Sequence, residues 1–177
     1  RQIVRGTGEL KGSVRVSGSK NAALPILCAT ILCGEEIVLE DVPELKDVEI
    51  LCDVLRGLGV KVEHKDKNLY VINAENITNT VTGEELMSKM RASFCVMGPL
   101  LSRMGHTGNA LPGGCAIGTR PIDLHIKGFK ALGAEVSISK GMVNASAEKL
   151  IGDDIYLDFP SVGATQNIMM AAVLAEG

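Results

Sequence analysis

The sequence predicts an α/β fold of repeated units, with apolar helices inside and small sheets outside. Three observations carry this. First, Leu55-Arg-Gly-Leu-Gly-Val-Lys-Val62 is echoed by Phe129-Lys-Ala-Leu-Gly-Ala-Glu-Val136. Each copy follows an apolar-periodic stretch and precedes two short alternating runs split by a turn, which reads as helix, glycine stop, strand, turn, strand. Second, residues 22–34, 93–105 and 165–177 are three apolar segments of similar length, each ending in Gly. Overlaying them puts Lys20 and Arg91 at matching positions, with Gly163 in the third place. Third, residues 22–33 are apolar nearly all round, so that helix is expected to be buried on every side. The unit is about 70 residues of strand–helix–strand–helix–strand–strand type, a length suited to a supersecondary repeat. The chain holds two units and the front half of a third.

The elements follow in order. Alternating residues predict strands over 3–6 and 13–16. A helix over 21–33 starts at Asn21, a favoured N-cap residue, and stops at Gly34. A strand over 37–40 leads to a helix over 47–58, then to strands over 60–64 and 69–73, with His64 in the hairpin turn. Thr82-Gly-Glu-Glu85 reads as a capping box opening a helix over 83–104, which Pro99 is expected to kink. A strand over 107–111 follows. Pro121 suits a helix N1 position and predicts a helix over 121–132. Strands over 134–139, 142–147 and 154–158 precede a last helix over 163–176. No Pro/Ser-rich linker divides the chain. It lacks an initiator Met and stops where a helix ends, so it reads as a segment of a longer protein.

Composition narrows the function. The 177 residues are 46% hydrophobic, enough for one domain with a real core. Aromatics make up 3% and Trp is absent, which leaves no ring platform for stacking bases. A net charge of −3 argues against nucleic acid or an acidic membrane as partner, but not against a local cationic pocket for a small anion. The longest apolar run contains Pro25 and is too short to span a bilayer. Five cysteines without a C-x-x-C pair and without a preceding signal peptide fit free thiols in a reducing cytoplasm, and do not fit a structural metal site.

Two stretches carry candidate chemistry. In Ser17-Gly-Ser-Lys20-Asn21, a lysine and an amide stand where an apolar helix begins, with Gly18 leaving the backbone open to close approach by a ligand. This reads either as a phosphate or carboxylate site or as a surface lysine beside an ordinary cap. Arg91 opens the second apolar helix and needs water, a carboxylate such as Glu84 or Glu85, or a ligand. In Pro112-Gly-Gly-Cys115-Ala-Ile-Gly-Thr-Arg120-Pro121, one thiol sits on a glycine-rich loop near a cation that favours its thiolate. Such a thiol can act as nucleophile or general acid/base. Cys28, Cys33, Cys52 and Cys95 lie on apolar stretches and read as core residues. Asp123 and His125 could bind a polar substrate, although an acid at a helix start is also favoured by the dipole. His106 suggests no role.

These residues resemble a known family. Ser-Gly-Ser-Lys-Asn-Ala-Ala-Leu-Pro, Met-Arg-Ala-Ser, Leu-Pro-Gly-Gly-Cys-x-Ile-Gly-x-Arg-Pro-x-Asp-Leu-His and Ser-Val-Gly-Ala-Thr are similar to the enolpyruvyl transferases from end to end. The resemblance implies two domains, each an inside-out α/β barrel of three βαβαββ units. Residues 1–16 would be a strand segment joining the second domain, and 17–177 would be the first barrel, incomplete at its C-terminus. It implies transfer of the enolpyruvyl group of phosphoenolpyruvate to the 3-hydroxyl of UDP-N-acetylglucosamine, with release of phosphate. That is the first committed step of peptidoglycan synthesis, and hence serves cell division and cell shape. It implies Cys115 as general acid, forming an adduct with the substrate and reacting with fosfomycin. Lys20 and Asn21 would bind phosphoenolpyruvate. Arg91, Arg120, Pro121, Ile122, Asp123, Leu124, Ser161, Val162 and Gly163 would meet the nucleotide sugar. Some members carry a lysine where this chain has Phe159. No metal or organic cofactor is implied. The missing C-terminal domain would supply a carboxylate base, so this polypeptide alone is expected to be inert. The alternatives are a 5-enolpyruvylshikimate-3-phosphate synthase-like enzyme, which lacks the cysteine loop, and a non-catalytic barrel domain that works through an exposed face.

Overall fold

The computed structural model of the chain describes residues 3–6, 8–9, 11–82, 91–111 and 122–177, and the backbone alone for 91–93. Residues 83–90, with all of the expected capping box after Thr82, and the loop 112–121 around Cys115 fall outside these residues.

Helix α1 (Lys20–Ala29) passes into a 3-10 turn, Thr30–Leu32, where the Thr30 hydroxyl donates to the Leu27 carbonyl at 2.7 Å. Pro25 has no N–H to return to the Asn21 carbonyl, and α1 bears this within its second turn. The carbonyls at the far end are claimed from a distance. The half-buried Arg103 guanidinium donates to the carbonyls of Ile31 (2.8 Å), Cys33 (3.2 Å) and Ala74 (2.7 Å). A cation at a helix C-terminus meets both the unpaired oxygens and the negative end of the dipole.

Strand β1 (Glu36–Leu39), helix α2 (Lys46–Gly57) and the hairpin β2 (Lys61–Asp66) and β3 (Leu69–Asn73) complete the first half. The sheet is antiparallel, in order β1-β3-β2, with Val38 opposite Val71 and Val62 opposite Ile72. Gly59, at φ 96°, reverses the chain after α2, and a Cβ there would meet Thr78 backbone nitrogen at 2.8 Å.

The second half runs β4 (Val81–Thr82), a 3-10 segment Arg91–Val96, α3 (Met97–Met104), β5 (His106–Ala110), α4 (Asp123–Ala131), β6 (Glu135–Ser139) and β7 (Met142–Ser146). Its sheet has the order β4-β5-β7-β6, with β4 parallel to β5 and the other pairs antiparallel. Helix α5 (Val162–Ala172) follows.

The helices pack mainly on one another: α1 on α2 and on the 3-10 segment, α3 on α5, and α4 on α5. One core joins α1 and α2 to the first sheet through Leu27, Leu51, Leu55 and Ile72. A second joins α3, α4 and α5 to the second sheet through Leu101, Phe129, Leu132 and Val143. Val96, Leu100 and Met170 belong to the first core, while Met97, Leu101 and Ile168 beside them belong to the second. No helix among the described residues is long and apolar enough to cross a membrane.

Several expectations are corrected. No strand forms at 3–6, 13–16 or 154–158. Val14 and Val16 are almost wholly exposed, and alternation alone cannot form a strand without a neighbouring edge. The apolar helices are not buried all round: Ile26 on α1 and Met169 on α5 face outward. Of the helix expected over 83–104, residues 83–90 lie outside the described residues; the rest is 3-10 over Arg91–Val96 and α-helix only from Met97, with Pro99 at the third position of α3. His64 lies in β2 and not in the turn, its ring stacked on Tyr70 at 4.4 Å.

Candidate active site

The candidate residues stand at the starts of four helical segments. Lys20 is the first residue of α1, and the N-cap is Ser19, not Asn21. The Ser19 carbonyl accepts from Ala22 and Ala23, which leaves Asn21 exposed in the first turn. Gly18 is not open to a ligand. A Cβ there would stand 1.9 Å from the Asp41 carbonyl oxygen, so the chain itself fills that space. Asp41 has φ 54°, a left-handed turn that brings its carbonyl against Gly18, and its carboxylate accepts from Arg15 at 2.7 Å.

Lys20 Nζ pairs with Asp47 Oδ2, in the first turn of α2, at 2.9 Å, with both side chains 40–47% exposed. An ion pair that wet contributes about 0–1 kcal/mol, so the ammonium is available to a stronger anion. Arg91 begins the 3-10 segment, which packs against both α1 and α5. Cys115, Arg120 and Pro121 lie outside the described residues.

Ile122 caps α4, and its side chain and that of Leu124 are buried in the second core at 9% and 7% exposure. They anchor the helix and leave only backbone atoms to face a ligand. Asp123, between them, is exposed. Ser161 is the N-cap of α5: its Oγ accepts from Ala164 N–H at 3.3 Å, and its carbonyl accepts from Thr165. Val162 is 76% exposed. Phe159 is exposed where the resemblance allows a lysine. Lys127, one turn along α4 from Asp123, pairs with Asp158 at 2.9 Å.

The 3-10 segment, α4 and α5 meet at His125; Lys20 at the start of α1 is not among its contacts. Its ring lies edge-on to Phe94 of the 3-10 segment at 5.0 Å, and its Nε2 and Cε1 are 3.8 Å from where a side chain on Gly163 would begin. Asn167 of α5 reaches His125 Nδ1 at 3.0 Å. Burial lowers the imidazole pKa to about 4, so the ring is neutral near pH 7. The partners Asn167 and Phe94 were not foreseen. A single amide inside the apolar stretch Val162–Ala172 is the signal that could have found the first.

Three of the other cysteines behave as core thiols, whereas Cys33, expected among them, is half-buried, lies outside both cores and accepts from the Glu35 N–H. Cys28, Cys52 and Cys95 are free, and desolvation raises each of them, Cys52 and Cys95 to about 11. Among the described residues no group of His, Cys, Asp and Glu is placed to hold a metal.

The chain belongs to the EPSP synthase (3-phosphoshikimate 1-carboxyvinyltransferase) family, whose model matches residues 4–177. Among its relatives, a UDP-N-acetylglucosamine 1-carboxyvinyltransferase of Finegoldia magna is 62% identical over 95% of this chain. A UDP-N-acetylglucosamine 1-carboxyvinyltransferase 2 of Clostridium tetani is 52% identical over 99% of it. The chain spans 40% of the first relative's length and 42% of the second's. The fold is that of the enolpyruvyl transferase NikO from Streptomyces tendae, at TM-score 0.78 and 18% identity, with 97% of this chain and 40% of that one covered. EPSP synthase from Acinetobacter baumannii superposes at TM-score 0.69 and 18% identity, over 94% of this chain and 39% of that one.

Proposed function

We propose that this chain is the first barrel of a cytoplasmic transferase that moves the enolpyruvyl group of phosphoenolpyruvate to the 3-hydroxyl of UDP-N-acetylglucosamine and releases phosphate. The observation that carries the reading is the 62% identity, over nearly all of this chain, to a relative of that name. The Pro112-Gly-Gly-Cys115 loop favours it over the shikimate enzyme. In this reading residues 1–16 join the second domain, 17–177 form most of an inside-out barrel of βαβαββ units, and the reaction feeds peptidoglycan synthesis.

The chemistry follows from the residue types. The Cys115 thiol gives its proton to the methylene carbon of phosphoenolpyruvate, and the adjacent carbon becomes oxocarbenium-like. The sugar hydroxyl attacks that carbon and gives up its proton to a carboxylate of the second domain. Phosphate then leaves the tetrahedral ketal, and loss of a proton from the new methyl group restores the double bond. Lys20 and Asn21 bind the phosphate and carboxylate of phosphoenolpyruvate, and Arg91 and Arg120, lining the same cleft and meeting the nucleotide sugar, stabilise charge as it develops. The starts of α4 and α5 receive the nucleotide: Ile122, Asp123, Leu124, Ser161, Val162 and Gly163 offer backbone N–H groups, and Pro121, which has none, offers its ring and carbonyl.

Fosfomycin tests the reading. It should alkylate Cys115 selectively, and faster when UDP-N-acetylglucosamine is present, as read by peptide mass spectrometry. Equal labelling of every accessible cysteine, with no effect of the sugar nucleotide, would overturn it. The chain alone, given both substrates, should release no phosphate.

A further inference from the structure

Asn167 is wholly buried in α5 and spends both amide hydrogens and its oxygen on the second half of the fold. Its Oδ1 accepts from the Gly98 N–H at 2.7 Å, and its Nδ2 lies 3.2 Å from the Phe94 carbonyl oxygen. A backbone N–H can only donate and a backbone carbonyl can only accept, so these two contacts fix which end of the amide is oxygen. The second Nδ2 hydrogen points at His125 Nδ1, 3.0 Å away. Nδ1 must therefore accept, and the proton of the neutral ring is on Nε2. Gly98 keeps this arrangement possible, and Gly163 lies beside it. A Cβ on Gly98 would strike Asn167 Oδ1 at 2.5 Å, and one on Gly163 would stand over the Nε2 edge of the imidazole at 3.8 Å.

We infer that Asn167 is a positioning residue: its buried carboxamide holds His125 as the Nε2–H tautomer, so that the ring presents a hydrogen-bond donor beside the first turn of α5. The partner of that donor is an oxygen-rich anionic group, such as a phosphate of a nucleotide sugar; this part rests on the function proposed above. The donor works with the first N–H groups of α5, which precede the helix's own hydrogen bonds. The described groups facing the ring from packed elements, Phe94, Gly163 and Asn167, are uncharged, and Asp123 and Lys127 on its own helix are exposed.

The test is a long-range 1H–15N correlation spectrum of the 15N-labelled 177-residue chain at pH 7, with and without UDP-N-acetylglucosamine. The free chain should show His125 with a protonated Nε2 and a bare Nδ1, and the sugar nucleotide should move the Nε2 resonance while the tautomer is kept. In Asn167→Asp the carboxylate still accepts from Gly98 but can only accept from the ring. His125 should then move its proton to Nδ1, and its titration should rise. Protonated Nδ1 in the wild-type chain overturns the inference without any variant, and so does an unchanged tautomer in folded N167D. The expected tautomer with no response to the sugar nucleotide overturns the positioning role together with the assigned site, whereas a wrong tautomer overturns the role of Asn167 alone.

Discussion

Single residues hold the candidate site by occupying space that a ligand might otherwise take. Gly18 is the clearest case, since the Asp41 carbonyl stands where its side chain would be. Gly18→Ala must displace that carbonyl, and we expect a loss of about 1–3 kcal/mol in urea unfolding, the usual cost of overpacking. His125 makes a second prediction, in pH. Burial sets its folded pKa at about 4 against an ordinary 6.5, so an unfolded chain takes up a proton first as the pH falls. The stabilising contribution is complete above pH 6.5 and disappears as the pH drops towards 4. The slope from this group is at most about 1.4 kcal/mol per pH unit. Unfolding of the wild type measured across that window should show the slope, and His125→Asn should lack it.

At the scale of elements, Arg103 ties the end of α1 to the turn after β3 through at least three carbonyls. Arg103→Met leaves those oxygens without donors and should cost about 2–4 kcal/mol, while Arg103→Lys, with no planar fork, should restore only part of it. Elements whose own sequence sets their boundaries were the legible ones. Strand β3 was expected over 69–73 and forms there, and α2 is displaced by one residue, because alternation fixes the first locally and a helical period ending at Gly57 and Gly59 fixes the second. The strands at 3–6, 13–16 and 154–158 did not form, since their alternation needs an edge that the described residues do not offer. In the site, the types and positions of Lys20, His125 and Ser161 could be read from the chain. The ties of Lys20 to Asp47 and of His125 to Asn167 could not, because each joins residues 27 or more positions apart on separate helices.

Across the whole molecule, the two cores share the layer formed by the 3-10 segment, α3 and α5. Leu100 lies in the first core and Leu101 in the second. Leu100→Ala should therefore destabilise by about 2–5 kcal/mol and lower amide-exchange protection in both sheets together, not in the first alone. The long-range balance of charge bears on the Lys20–Asp47 pair as well. A protein of net charge −3 keeps a carboxylate parked on the ammonium that opens α1. An incoming monocarboxylate merely trades places with an equal, and gains nothing. In the proposed site, a ligand with two or three negative charges would displace the resident more readily, by a margin limited by the pair's worth of about 0–1 kcal/mol. Discrimination between pyruvate-like and phosphorylated anions would then begin before any shape is compared, and it would fade as added salt screens the contest.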